Sequence, residues 1–269
     1  MSAETPTWRE SIALYDEMAQ SYDAVFEEQT YRRAYDLLAG EYVGRQLPAT
    51  PGLIVDAGCG TGRWAARWLE LGHSVIGIEQ SPQMISLIRQ RRLGPSFRLI
   101  ESSMAEAEVE DAAADLVVAM GSLQYLADPA AAMSRFVRWL KPGGRVCIYT
   151  DSLVSIVLEL FRMGMPDEAL LRLQTRRGEF RVGDALAELH LFNRESLAAL
   201  LATAGLTDVS CHGLLVMQSA WDKQRCSDAF AADEAGYLEL ERRLMADPTM
   251  ADAGKHIIAV GRKPLSAAP

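Results

Sequence analysis

The chain has 269 residues, 49% of them hydrophobic and 23% charged, and carries a formal net charge of −9, which fits one large globular domain with or without a lid. That acidic balance gives no global basic field, so it argues against bulk nucleic acid or an anionic membrane as the main partner and leaves only a local patch for either. Cys59, Cys147, Cys211 and Cys226 form no Cys-x-x-Cys pair and accompany no His-rich spacing, so reduced thiols, no metal and a cytoplasmic location are expected in a chain without a bilayer-length apolar run.

Residues 8–46 have helical periodicity, with Ile12, Tyr15, Met18, Tyr22 and Phe26 at three- and four-residue spacing and a second helix from Tyr31 to Tyr42. Pro48 and Pro51 mark the passage to a strand at 52–57. The chain then alternates: helix 62–71, strand 74–79, helix 82–91, strands 97–101 and 115–120, helix 129–140, strand 144–150. Such alternation predicts an α/β fold, a parallel sheet with helices on both faces. Ser81-Pro82 is a helix start with proline in the first turn, and Pro142-Gly143-Gly144 is a break. Beyond Thr150 the rhythm changes. Two helical stretches fill 151–190, with too few strand signals to extend the core. A helix at 193–204, a strand at 207–216, an irregular stretch 217–230, a helix at 231–246 and a last strand at 255–261 follow. The expected organisation is a single domain over 1–269, with a helical cover at 1–48, a cofactor-binding core at 52–150, and insertions at 151–192 and 217–250 that shape a substrate pocket.

The chemistry concentrates at Asp56-Ala57-Gly58-Cys59-Gly60-Thr61-Gly62. A buried strand ending in an acid runs into alternate glycines, which permit positive φ and let a nucleotide-like ligand lie against the backbone. A dinucleotide fingerprint would run G-x-G-x-x-G; here the third glycine is Gly62, and Asp56 would repel a pyrophosphate. A carboxylate there suits a ligand bearing cations, such as the ammonium and sulfonium of S-adenosylmethionine. Val75-Ile76-Gly77-Ile78-Glu79 ends in a second acid about twenty residues after the first glycine, the interval at which the next strand offers an acceptor to a ribose diol.

With Tyr15-Asp16-Glu17-Met18-Ala19-Gln20-Ser21-Tyr22-Asp23, Glu79-Gln80-Ser81-Pro82-Gln83-Met84, Asp115-Leu116-Val117-Val118 and Leu140-Lys141-Pro142-Gly143-Gly144 following the same order, the chain resembles the class I S-adenosylmethionine-dependent methyltransferases. The likeness is to the small enzymes of ubiquinone and menaquinone biosynthesis and covers roughly residues 10–150. It implies a Rossmann-like sheet of seven mostly parallel strands, an antiparallel final pair and a helical cap over the acceptor pocket. It further implies that Asp56, Gly58, Cys59 and Gly60 hold the methionine portion, that Glu79 accepts from both ribose hydroxyls, and that Gln80 and Met84 flank the adenine. Arg32 is implied to reach the cofactor's carboxylate, and Met120 to border the cofactor at the end of the fourth strand. Where similar enzymes carry an acid after the third strand, this chain has Ser102-Ser103-Met104. Ser103 or Glu106 then becomes the candidate partner for the adenine amino group and Met104 the residue packed on its face.

For the acceptor side, Tyr22 and His190 are the candidate catalytic groups, with Tyr125 and His212 as further pocket residues. Tyr15 reads as core, and His73 and His256 as structural residues of strands. Arg162, Arg172, Arg176, Arg177 and Arg181 cluster in the cap, where they fit either a salt-bridged surface or an anionic acceptor. The leading expectation is a methyltransferase, monomeric or homodimeric, acting on oxygen, nitrogen or carbon of a small-molecule acceptor. Tyr237-Leu238-Glu239-Leu240-Glu241-Arg242-Arg243 resembles the C-terminal run of methyltransferases acting on carboxymethoxyuridine in tRNA, which stands as the alternative. A cofactor-binding member of the fold that transfers no methyl is the third reading.

Overall fold

A computed structural model describes residues 11–265. Residues 8–10 of the expected first helix lie outside the described residues. The first helices are α1 (Ile12–Glu28) and α2 (Thr30–Gly44). They lead into β1 (Leu53–Ala57), α3 (Arg63–Glu70), β2 (Ser74–Glu79), α4 (Pro82–Arg91), β3 (Phe97–Glu101) and β4 (Ala114–Met120). A 3-10 turn at Leu123–Tyr125, α5 (Pro129–Trp139) and β5 (Leu140–Asp151) follow. Next come α6 (Leu153–Arg162), α7 (Pro166–Thr175), the strands β6 (Arg177–Val182) and β7 (Ala185–His190), and α8 (Arg194–Thr203). The chain ends with β8 (Thr207–Leu214), α9 (Met217–Ala220), α10 (Lys223–Ala232), α11 (Glu234–Ala246) and β9 (His256–Arg262).

Seven strands form one sheet in the order β3-β2-β1-β4-β5-β9-β8. The first five are mutually parallel, and β9 runs antiparallel to both β5 and β8. This is the expected Rossmann-like α/β architecture. Its central strands are apolar throughout, because helices cover both faces of a parallel sheet. On one face Phe136, Trp139, Leu197 and Leu201 pack the core from α5 and α8. On the other, Tyr35, Leu38, Trp64, Trp68, Phe230 and Leu238 do so from α2, α3, α10 and α11. Because β1 and β4 are neighbours while the chain winds away on either side, their carboxyl ends open a crevice at the point where strand order reverses.

Three local expectations are corrected. The stretch after α7 does not extend the core sheet but holds strands beside its helices: β6 and β7 form a separate two-stranded hairpin. Its signal was the two-residue Gly183-Asp184 turn, with Gly183 at φ +56°, but charged residues on the exposed face of β6 dilute the alternation. Residues 217–230 are not irregular. They hold α9 and most of α10, whose N-cap Asp222 accepts from the Arg225 N–H at 2.9 Å and whose buried stripe is only Cys226 and Phe230. β5 begins at Leu140, four residues early, with a register irregularity opposite Ala114 and Leu116 that absorbs the Pro-Gly-Gly break. Among the described residues, no helix is long and apolar enough to cross a membrane.

Candidate functional site

The glycine loop is fastened to the neighbouring strand. The N–H groups of Gly58 and Cys59 both donate to the Ile78 carbonyl, at 2.8 and 3.0 Å. Glu79, one residue further, accepts from Gly60 N–H at 2.9 Å through Oε2 and from the Gln80 and Ser81 N–H groups at 2.8 Å each through Oε1. One carboxylate therefore organises both the loop after β1 and the start of α4. Ser81 caps that helix, as expected, by accepting from the Met84 N–H.

Asp56 lies beneath the loop, 1% exposed, and its Oδ2 has no hydrogen-bond partner. Burial, reinforced by the nearby Glu79 charge, pushes its pKa up to about 8 against the opposing Arg63. Burial likewise raises Glu79, opposed by its three backbone donors. A positive charge brought close to these two acids would favour their ionised forms.

Helix α1 spans the opening above. Asp16 accepts from Ser81 Oγ at 2.5 Å and from the Gln83 N–H at 3.2 Å. Asp23 accepts from Thr61 Oγ1 at 2.7 Å and forms an ion pair with Arg91. These contacts join α1 to both banks, the glycine loop and α4, and leave a cleft of about 540 Å³, part of it open to solvent, between them.

Of the expected cofactor residues, Gly58, Gly60, Glu79, Gln80, Ser103, Met104 and Met120 line this cleft. Asp56, Cys59 and Met84 do not. Asp56 is under the loop, Cys59 is buried with its sulfur toward Gly77, and Met84 is fully buried in α4. Glu106 is exposed and lies outside the lining, whereas Ser102 joins Ser103 within it. Arg32 is also outside; its guanidinium lies 5.0 Å from the Phe26 ring centre and its charge acts on Tyr22, Asp151 and His256.

Of the residues expected to meet the acceptor, Tyr22 and Tyr125 line the cleft. Burial raises the pKa of both phenols, so each is present as a neutral donor. Tyr15, expected in the core, is a wall of the same cleft and donates to the Gly121 carbonyl at 3.4 Å. Spacing put it in the Ile12–Phe26 apolar series, and only the placement of α1 turns that residue to the cleft while Leu14 is buried. Ser11, Gly121, Ser122 and Leu126 also line the cleft and had no sequence signal beyond following a strand end or opening a helix.

His190 and His212 are not among the lining residues. His190 ends β7, and its imidazole engages the backbone at Leu126 and Ala127; burial lowers its pKa, partly offset by those bonds. It therefore stands behind the Leu126 wall. His212 packs on Tyr42, with ring centres 5.0 Å apart, and its Nδ1 lies 2.8 Å from the Met245 carbonyl. It belongs to the cover of β8, not to the cleft.

No lining residue comes from 151–192 or 217–250. The first segment braces the wall: Leu153, Ala187, Leu189 and Leu191 pack with Leu14 of α1 and with Tyr125. The second covers the opposite sheet face, where Glu241 accepts from the Val216 and Met217 N–H groups and Arg242 pairs with Glu41. Arg172 of the cap cluster pairs with Glu168 at 2.9 Å. Among the described residues, no group of three His, Cys, Asp or Glu side chains could hold a metal.

Residues 55–148 match the family described as "Methyltransferase domain". The chain is 29% identical over 140 residues to the malonyl-[acyl-carrier protein] O-methyltransferase of Yersinia pestis, covering 51% of this chain and 49% of that protein. It thus spans about half the length of the curated relative it matches. The fold is similar to that of the 1,6-didemethyltoxoflavin-N1-methyltransferase of Burkholderia thailandensis, solved with bound 1,6-didemethyltoxoflavin and S-adenosylhomocysteine (TM-score 0.54, 18% identity, 97% of this chain and 93% of that one). It is also similar to the [4+2]-cyclase SpnF (TM-score 0.62, 19% identity, 98% and 100%).

Proposed function

From the match of residues 55–148 to a methyltransferase domain we propose that the chain is a class I S-adenosylmethionine-dependent methyltransferase that transfers a methyl group to a small organic acceptor. The observation that carries the reading is the orphaned acid. A buried carboxyl with a free oxygen, made reluctant to ionise by burial and by Glu79, lies under a glycine loop beside a cleft. A cationic ligand would supply the countercharge that the protein leaves out.

The residues fit that cofactor. Gly60 has positive φ with open space where a side chain would stand, so the methionine portion can lie against the backbone there. Glu79 retains acceptor capacity after its three backbone bonds, since a carboxylate offers about four lone-pair sites. Met104, with Ser102 and Ser103, would border the adenine. When bound, the sulfonium supplies an activated methyl group. The protein's part is then to align the acceptor, exclude water and manage its proton, and alignment can contribute roughly 7–11 kcal/mol. Tyr15, Tyr22 and Tyr125 wall the cleft on the acceptor side, and His190 steadies that wall from behind.

Calorimetry with S-adenosylmethionine and S-adenosylhomocysteine tests the reading. Binding of both is expected; a folded chain that takes up neither would end it. Labelled-methyl transfer separates an enzyme from a cofactor-binding member of the fold. Against an RNA acceptor stands the engagement of much of the 237–243 run within the protein: Tyr237, Leu238 and Glu241 are buried, and Arg242 and Arg243 pair with Glu41 and Glu239.

A further inference from the structure

Asp151 ends β5 and His256 begins β9, and the antiparallel register sets them opposite one another at the sheet edge that carries the cleft. Asp151 Oδ1 lies 2.9 Å from His256 Nδ1, and Oδ2 accepts from Gln124 Nε2 at 2.9 Å. Gln124 belongs to the short turn that also carries the cleft residue Tyr125, is 3% exposed, and has its own Oε1 without a partner. The His256 ring lies 4.7 Å from Tyr149 and 6.3 Å from Tyr35, centre to centre. Tyr149 in turn receives the Gly121 N–H, and Gly121 lines the cleft. Although surrounded by protein, the two side chains keep 27% and 15% exposure. They stand outside the cleft lining, one residue layer beyond Gly121 and Tyr125, on the far side of the β1–β4 switch point from Glu79.

We propose that a hydroxyl-bearing acceptor reaching past Gly121 and Tyr125 meets the Asp151–His256 pair, which takes its proton during methyl transfer. The inference rests on the methyltransferase reading above. In the neutral imidazole one nitrogen donates and the other accepts, and the carboxylate decides which. With Nδ1–H donated to Asp151, Nε2 keeps its lone pair, and among the described residues no protein group bonds to it. The arrangement is that of a base oriented by an acid. The acceptor oxygen gives its proton to Nε2 and forms the O–C bond as the methyl–sulfur bond breaks, the electron pair of that bond leaving with sulfur as a neutral thioether.

The surroundings favour the neutral base. Burial lowers the His256 pKa; Asp151 opposes this, while Lys255 beside it and Arg32 from α2 lower it further. Burial would raise Asp151, but His256, Lys255 and Arg32 outweigh it and keep the carboxyl ionised. Tyr35 on α2 and Tyr149 on β5 complete the groups facing the ring, both phenols being held neutral chiefly by burial. An amine or carboxylate acceptor would need no such base.

The test uses the full chain, labelled S-adenosylmethionine and a small-molecule extract of the source cells as acceptor pool, comparing the native chain with His256→Gln, His256→Ala and Asp151→Asn. Cofactor affinity by calorimetry is expected to stay within about twofold, while transfer falls by roughly 10²–10⁴-fold. The native rate should rise with pH through the His256 titration and level off, and His256→Gln should lose that step. Added imidazole should restore part of the transfer in His256→Ala, which it would not do if the histidine merely supported the fold. Transfer by His256→Gln near the native rate, with an unchanged pH profile, overturns the inference and leaves methyl transfer standing. No transfer by the native chain removes both.

Discussion

The Gly60 N–H donates to Glu79 Oε2 at 2.9 Å, so the acid we propose to meet a ribose also holds the glycine loop in shape. Glu79→Gln keeps the size but gives up the charge. Charge-assisted hydrogen bonds contribute about 1.5–3 kcal/mol each, so cofactor affinity should drop roughly 10- to 100-fold by calorimetry. Glu79→Ala should in addition speed amide exchange at Gly60, Gln80 and Ser81. Unaltered affinity in both variants would detach Glu79 from the cofactor.

Gly58 and Gly60 should respond differently to alanine. Gly58 is at φ +84°, and a Cβ there would sit 2.4 Å from Ser122 Cβ and 2.8 Å from its Oγ. Gly60, at φ +57°, has nothing within 4 Å. Gly60→Ala should carry only the left-handed penalty of about 1–2 kcal/mol. Gly58→Ala must also move the 121–122 wall, so it should lower the melting temperature more and weaken cofactor binding. Equal effects would mean that the close approach of β1 and β4 loops is not a constraint.

Asp56 predicts a pH dependence with a definite sign. Its folded pKa, about 8, lies above the ordinary carboxyl value of about 3.9. The folded state therefore binds the proton more tightly, and stability from this group is full below about pH 4 and is lost as pH rises toward 8. Asp56→Asn should consequently stabilise the ligand-free chain near pH 8 and flatten this part of its stability profile. A cationic cofactor reverses the preference, so binding should release a proton and tighten with pH up to about 8. Calorimetry in buffers of different ionisation enthalpy reads that proton directly.

His190 engages the backbone at Leu126 and Ala127, and Leu126 lines the cleft beyond the β4 end. His190→Ala is expected to lower methyl transfer while cofactor affinity stays near native. If turnover is the same, the histidine has no part in placing the acceptor.

Much of the glycine-loop bank of the cleft was legible because it is local in sequence. Asp56, the glycines after it and Glu79 sit at strand ends whose spacing is dictated by one strand–helix–strand unit. Their backbone bonds follow once β1 and β2 pair in register, Asp56 against Gly77. Ser81-Pro82 announced its helix for the same reason. The missed hairpin and α10 show the opposite case: their apolar stripes are two or three residues wide, and what stabilises them is packing against α1 and α2.

The acceptor half was not legible. His190 and His212 were chosen because they fall where an insertion should approach the cleft, yet neither is in its lining. His256 reads as one polar residue at the edge of an apolar strand and acquires meaning only through Asp151, 105 residues away. Tyr15 and Leu14 are adjacent in sequence, and the rotation of α1 against α4 and β7 decides which of them faces the cleft.

By itself the sequence determined the winding of the sheet and the two acids at adjacent strand tips, since hydrophobic period and glycine spacing act over short stretches of chain. Only the tertiary structure decided which side chains surround the cleft and which histidine meets a carboxylate. Those pairings depend on the antiparallel closure of β9 on β5 and on the seating of α1, and long-range packing of that kind leaves no periodic trace along the chain.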